Sequence, residues 1–74
     1  MIHNKLRQAR DEASLTALRL GELAGVHEMR VYALERGRIP PRQREAQRIA
    51  AALDTTPAEL FPGVFSATKK GGTQ

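Results

Sequence analysis

The sequence predicts an all-α domain of five short helices followed by a tail. Three observations carry that expectation. Apolar residues recur at spacings of three and four, the helical period, in one segment after another. Capping residues, glycines and prolines fall between those segments, where helices start and stop. No stretch alternates β-branched and polar residues as a strand would. The 74 residues suffice for one domain, expected over 1–65 with a basic tail over 66–74. A domain of this size buries only about 60% of its unfolded surface, which suits local helices better than a large sheet.

The first helix is expected from Asn4, as N-cap, to Ala13, with Leu6, Ala9, Arg10 and Ala13 on its inward face. The second follows the cap residue Thr16 and ends near Ala24; Leu20 and Ala24 suit the core, and Gly25 suits a left-handed residue past a helix end. The third runs from His27 to Arg36 and is closed by Gly37. Val31 and Leu34 mark its buried side, while Met29, Tyr32, Ala33 and Arg36 point the other way. Residues Gly37-Arg38-Ile39-Pro40-Pro41 form a loop, because proline restricts itself and its predecessor. The fourth helix covers Arg42 to Leu53, with Ala46, Ile49, Ala50 and Leu53 on one face. Thr56-Pro57-Ala58-Glu59 reads as a capping box with proline at the first helical position; it starts a short fifth helix ending near Phe61, before Pro62-Gly63. Ser66 to Gln74 is small, polar and basic, and is expected to be disordered.

The charge balance is basic: 12 Lys+Arg against 8 Asp+Glu, a net +4. The bases are Lys5, Lys69, Lys70 and otherwise arginine, which contacts phosphate and guanine with two prongs. An anionic partner is therefore expected. With no cysteine, neither a disulfide framework nor a cysteine-based zinc site is available. No apolar run approaches the ~20 residues of a membrane span, and the N-terminus lacks the apolar core of a signal peptide. A soluble cytoplasmic protein is the expectation. Catalysis finds no support: His3, an exposed terminal residue, and His27 are far apart, and no triad, metal cluster or phosphate-binding glycine loop is present. No enzyme activity, cofactor or metal is expected.

A helix, a tight turn at Gly25 and a second helix make the layout of a helix-turn-helix motif, whose second helix fits the DNA major groove. From Leu6 to Phe61 the chain resembles the XRE family, the Cro and phage-repressor type of helix-turn-helix domain. The residues carrying the resemblance are Leu6, Arg10, Leu15-Thr16, Leu20, Ala24-Gly25-Val26, Val31, Leu34-Glu35-Arg36-Gly37, Pro41, Ile49-Ala50, Ala52-Leu53 and Glu59-Leu60-Phe61. The resemblance implies a lambda-repressor-like fold and a DNA-binding transcription regulator. It puts His27, Glu28, Met29, Tyr32 and Ala33 at base edges, with Glu28 facing a cytosine amino group and Met29 or Ala33 a thymine methyl. It puts Thr16, Ala17, Arg30, Arg36, Arg38, Arg42 and Arg44 at phosphates. It also pairs Arg10 with Glu35, tying the first helix to the third. Several residues depart from the family: Ala17 stands where a phosphate-touching glutamine is frequent, Gly21 where alanine is usual, Leu18 and Leu23 where charge is usual, His27 where a small hydroxyl is usual, and Asp54 where glycine is usual. Gly21 is expected to cost up to about 1 kcal/mol in helix propensity.

The function implied is a repressor or small controller, of phage, mobile-element or restriction-modification type, associated with the nucleoid. A homodimer on an inverted repeat of double-stranded DNA is expected, with Phe61, Val64 and Phe65 either at the two-fold contact or closing the core. The tail, through Lys69 and Lys70, would add nonspecific affinity. The alternative is a protein-interaction module on the same fold, binding a partner regulator or toxin through Leu18, Leu23 and the C-terminal apolar residues.

Overall fold

Three helices of this chain start where an N-cap side chain takes up a backbone N–H left free in the first turn. Thr16 Oγ1 accepts from the Arg19 N–H at 3.0 Å, His27 Nδ1 from Met29 at 3.1 Å, and Thr56 Oγ1 from Glu59 at 3.2 Å. A computed structural model describes residues 4–65; the expectations for His3 and for the tail from Ser66 to Gln74 lie outside them. The elements are α1 (Leu6–Glu12), α2 (Ala17–Ala24), α3 (Glu28–Glu35), α4 (Gln43–Ala52) and α5 (Pro57–Leu60). The described residues contain no strand. The all-α, five-helix expectation holds among the described residues.

The start of α1 departs from the expected cap. Lys5 is the N-cap, with no capping side chain, and Asn4 lies one residue outside. Its amide carries both an acceptor and a donor. Oδ1 accepts from the Leu6 N–H at 3.1 Å, and Nδ2 donates to the Leu34 carbonyl at 2.9 Å. Asn4 thus joins the beginning of α1 to the end of α3. The Lys5 N–H donates to the Leu60 carbonyl at 2.8 Å, which brings the end of α5 to the same corner.

The core consists of Leu6, Ala17, Leu20, Ala24, Val31, Leu34, Ala46, Ile49, Ala50, Leu60 and Phe61. Helix α2 packs on both α3 and α4 and buries one stripe, Ala17, Leu20, Gly21 and Ala24. Two expected inward positions shift. Ala13 is exposed because α1 stops at Glu12 and leaves Ala13 as its C-cap, and Leu53 is only partly buried at the end of α4. Phe61 is 0% exposed, so its ring closes the core and cannot serve as a dimer contact. Phe65 is half-buried against it, with ring centroids 6.4 Å apart.

Gly21 has the opposite role to the one its helix propensity suggests. A Cβ at this position would collide with the Val26 carbonyl oxygen. The Val26 N–H also donates to the Gly21 carbonyl at 2.8 Å. The missing side chain therefore lets the chain after α2 fold back onto the helix. Gly25, at φ 70°, makes the reversal, a conformation glycine adopts without a Cβ penalty. Asp54 takes a similar left-handed conformation, at φ 57°, which aspartate tolerates better than most residues.

Gly21→Ala is expected to destabilise the fold by about 1–3 kcal/mol, the range for forcing atoms into a packed site, although alanine favours helix. A urea unfolding midpoint checks this; an unchanged or higher midpoint would show that the Val26 carbonyl can move aside.

Candidate nucleic-acid interface

The reading positions lie on α3 and its N-cap. Val31 and Leu34 point into the core, which turns Met29 and Tyr32 outward; they are 65% and 38% exposed. His27 is exposed at the N-cap, and Glu28 and Ala33 are half-buried beside them. A shallow groove along the α2–α3 turn, lined by Leu18, Val26, His27 and Glu28 among others, opens next to the first turn of α3. A second, beside its other end, is lined by Arg7, Arg10, Tyr32, Glu35 and Arg36.

The far end of α3 is held by Arg10 and Glu35. Arg10 Nε donates to Glu35 Oε2 at 2.5 Å and Nη2 donates to Oε1 at 3.3 Å. Nη1 donates to the Leu15 carbonyl at 2.8 Å. One guanidinium thereby joins α1, the α1–α2 turn and α3. The Glu35 hydrogen bond raises the guanidinium above its ordinary value against the opposing effect of burial, and the charges of Glu35 and Asp11 add to the rise. The two side chains are 12% and 5% exposed, so both charges are largely shielded from water.

The phosphate-contact expectations divide. Arg36, Arg38, Arg42 and Arg44 are all exposed, and among the described residues none of them forms an ion pair. They surround the C-terminal end of α3, the following loop and the start of α4. Thr16 is exposed, with its oxygen engaged in the cap; its hydroxyl proton remains a donor. Ala17 requires correction. It is 1% exposed because the first turn of α2 presses it into the core, so its methyl cannot meet a phosphate and only its backbone can contribute there. Arg30 is partly exposed and already paired. Its Nε donates to Glu45 Oε2 and its Nη2 to Oε1 at 3.0 Å, so its charge is taken up within the protein.

Glu45 is the residue that sequence reasoning missed. It is only 8% exposed, and its Oε1 also accepts from the Arg42 N–H at 3.0 Å. Burial alone pushes its carboxyl up. The Arg30 and Arg42 hydrogen bonds and the two charges outweigh burial, and the carboxyl lies below its ordinary value. An acid at the third position of a helix is a legible capping signal, but the partner in α3 has no sequence signature. Arg48 is a second such residue. It is exposed and outside any ion pair among the described residues, and its Nη1 lies over the turn, 3.9 Å from where a Gly25 Cβ would stand. Its spacing of four from Arg44 on α4 is the available clue.

Among the described residues, no group of His, Cys, Asp and Glu could hold a metal ion. No helix there is long and apolar enough to cross a membrane. A family model described as helix-turn-helix matches residues 6–60. No curated protein matches the chain.

Breaking the Arg10–Glu35 pair with Glu35→Gln is expected to cost about 3 kcal/mol, because a largely shielded guanidinium loses its principal counter-charge and keeps only the exposed Asp11 at 3.7 Å. Replacing both partners with apolar residues should cost far less, and equal losses in urea unfolding would contradict that account. For Glu45 the sign follows from the lowered carboxyl. Its contribution to stability is complete above the ordinary carboxylate value and is lost as pH falls through the folded value. The stability gap between the wild type and Glu45→Gln should therefore narrow as pH falls through the ordinary carboxylate range and below it. A gap that stayed constant in urea titrations would contradict the assignment.

Proposed function

The chain belongs to the helix-turn-helix family, of the XRE type, and from that premise we propose a sequence-specific transcription regulator that binds an inverted repeat as a homodimer. DNA binding and regulation are the family's general activity. The observation that carries the reading is the run of exposed arginines, Arg36, Arg38, Arg42 and Arg44, without an ion-pair partner among the described residues. They follow the C-terminal end of a helix whose outward side chains Met29 and Tyr32 are exposed.

In this reading α3 enters the major groove. Glu28 accepts from a cytosine amino group, Met29 or Ala33 meets a thymine methyl, and His27 and Tyr32 complete the row of reading residues. The four arginines neutralise phosphates, with the Thr16 hydroxyl and the Ala17 backbone N–H on the other strand wall. Two copies set their α3 helices about 34 Å apart, one DNA turn. Val64, 40% exposed, and the half-buried Phe65 are the apolar residues left for the two-fold contact. The DNA-binding domain spans 1–65, and Lys69 and Lys70 in the following segment add nonspecific attraction. The protein acts in the cytoplasm, at the nucleoid, as a repressor or small controller.

A second reading keeps the fold for binding a protein partner. The observation favouring it is the half-exposure of Leu18 and Leu23, at 52% and 50%, on the outer side of α2.

The deciding experiment selects bound sequences from a random duplex pool at near-physiological salt. A short inverted repeat is expected. Recovery of no motif, with weak binding only, would overturn the proposal and favour a protein partner. On the selected site, Arg36→Ala with Arg38→Ala should make the slope of log K against log salt shallower by about two, one for each phosphate that is no longer neutralised. Leu18→Glu with Leu23→Glu should leave DNA binding in place; under the second reading it abolishes binding of the protein partner, which Arg36→Ala with Arg38→Ala leaves intact.

A further inference from the structure

We propose that Glu45 is a positioning residue that withholds Arg30 from the DNA backbone and thereby limits nonspecific binding. This rests on the DNA-binding reading above. Arg30 lies in the first turn of α3, between exposed Met29 and buried Val31, so it stands at the edge of the reading face. A free arginine at that place adds a cation to a surface that already carries Arg36, Arg38, Arg42 and Arg44.

The geometry cancels that cation. Arg30 meets the carboxylate with two prongs, Nε to Oε2 and Nη2 to Oε1, the arrangement that gives arginine–carboxylate pairs strength and direction. Glu45 is committed from a second side by the Arg42 N–H. It is also buried, with its side chain 9% exposed against 32% for Arg30. These features separate the pair from Arg7–Asp11 and Arg19–Glu22, whose partners are all more than half exposed and which a passing phosphate can displace. A buried carboxylate cannot release its counter-charge cheaply. Arg30 therefore stays with Glu45 while the unpaired arginines go to the phosphates.

The consequence falls on selectivity. Nonspecific affinity is set by the number of phosphates neutralised, whereas base reading is not. Removing one cation from the count weakens binding to any duplex and leaves the contacts of Glu28, Met29, Tyr32 and Ala33 in place. The same link fixes the first turn of α3 to the first turn of α4, so Arg42 is carried in register with the reading helix.

The test measures the salt dependence of the full chain binding a duplex of scrambled sequence and the selected site. Glu45→Gln frees Arg30, and the slope of log K against log salt should steepen by about 0.9. That is an additional fall in affinity of about three- to fourfold between 50 and 200 mM salt. The ratio of specific to nonspecific affinity should fall. A purely structural Glu45 would lower affinity for both duplexes with no change of slope, and that result overturns the proposal. The double variant Arg30→Gln with Glu45→Gln removes both charges and should keep the wild-type slope. A slope shallower by about 0.9 in the double variant would mean that Arg30 already touches phosphate, and would also overturn it. If Glu45→Gln does not fold, the double variant decides alone. A wild type that binds neither duplex removes the DNA-binding reading and this inference together; a wild type that binds, with variant slopes other than these, removes this inference only.

Discussion

The contact between Gly21 and the Val26 carbonyl is the constraint on which the rest of the molecule depends. It lets the chain leave α2, reverse at Gly25 and begin α3 within four residues. A side chain at Gly21 would require the Val26 carbonyl or the helix itself to shift. Because α2 packs on both α3 and α4, such a shift falls at the centre of the helix packing. The glycine thus exchanges some helix propensity for a close approach that a Cβ would obstruct with the turn as it stands.

Helix α3 is poorly anchored by packing. Only Val31 and Leu34 of its eight residues are buried, since its outer side is left free. Polar links supply the rest of the anchoring. Arg10 holds Glu35, Asn4 holds the Leu34 carbonyl, and Glu45 holds Arg30. Such links are directional where apolar packing is not, and they fix the helix about its own axis as well as in position. Buried ion pairs add little net stability against an apolar alternative; their value here is orientation of the exposed face.

The arrangement also sorts the arginines. Arg10 and Arg30 are held by buried carboxylates. Arg36, Arg38, Arg42, Arg44 and Arg48 are exposed without an acid partner among the described residues. One residue type therefore serves two purposes, and burial of the partner acid decides which.

The sequence alone determined what depends on near neighbours. The five helices, the caps at Thr16, His27 and Thr56, the reversal at Gly25 and the outward phase of Met29 and Tyr32 all follow from spacings of a few residues. The tertiary structure decided what depends on residues far apart in the chain. Asn4 has the chemistry of a cap and serves as a tie to Leu34. Ala17 and Phe61 fit a surface role by position and lie in the core. Gly21 reads as a weak point of its helix, and only the Val26 carbonyl standing over it explains it. Arg30 has the charge of a phosphate contact, yet Glu45, fifteen residues on, is folded against it. Helical period and capping report which way a side chain leaves its own helix, but its partner is set by how the helices pack, and no local pattern encodes that.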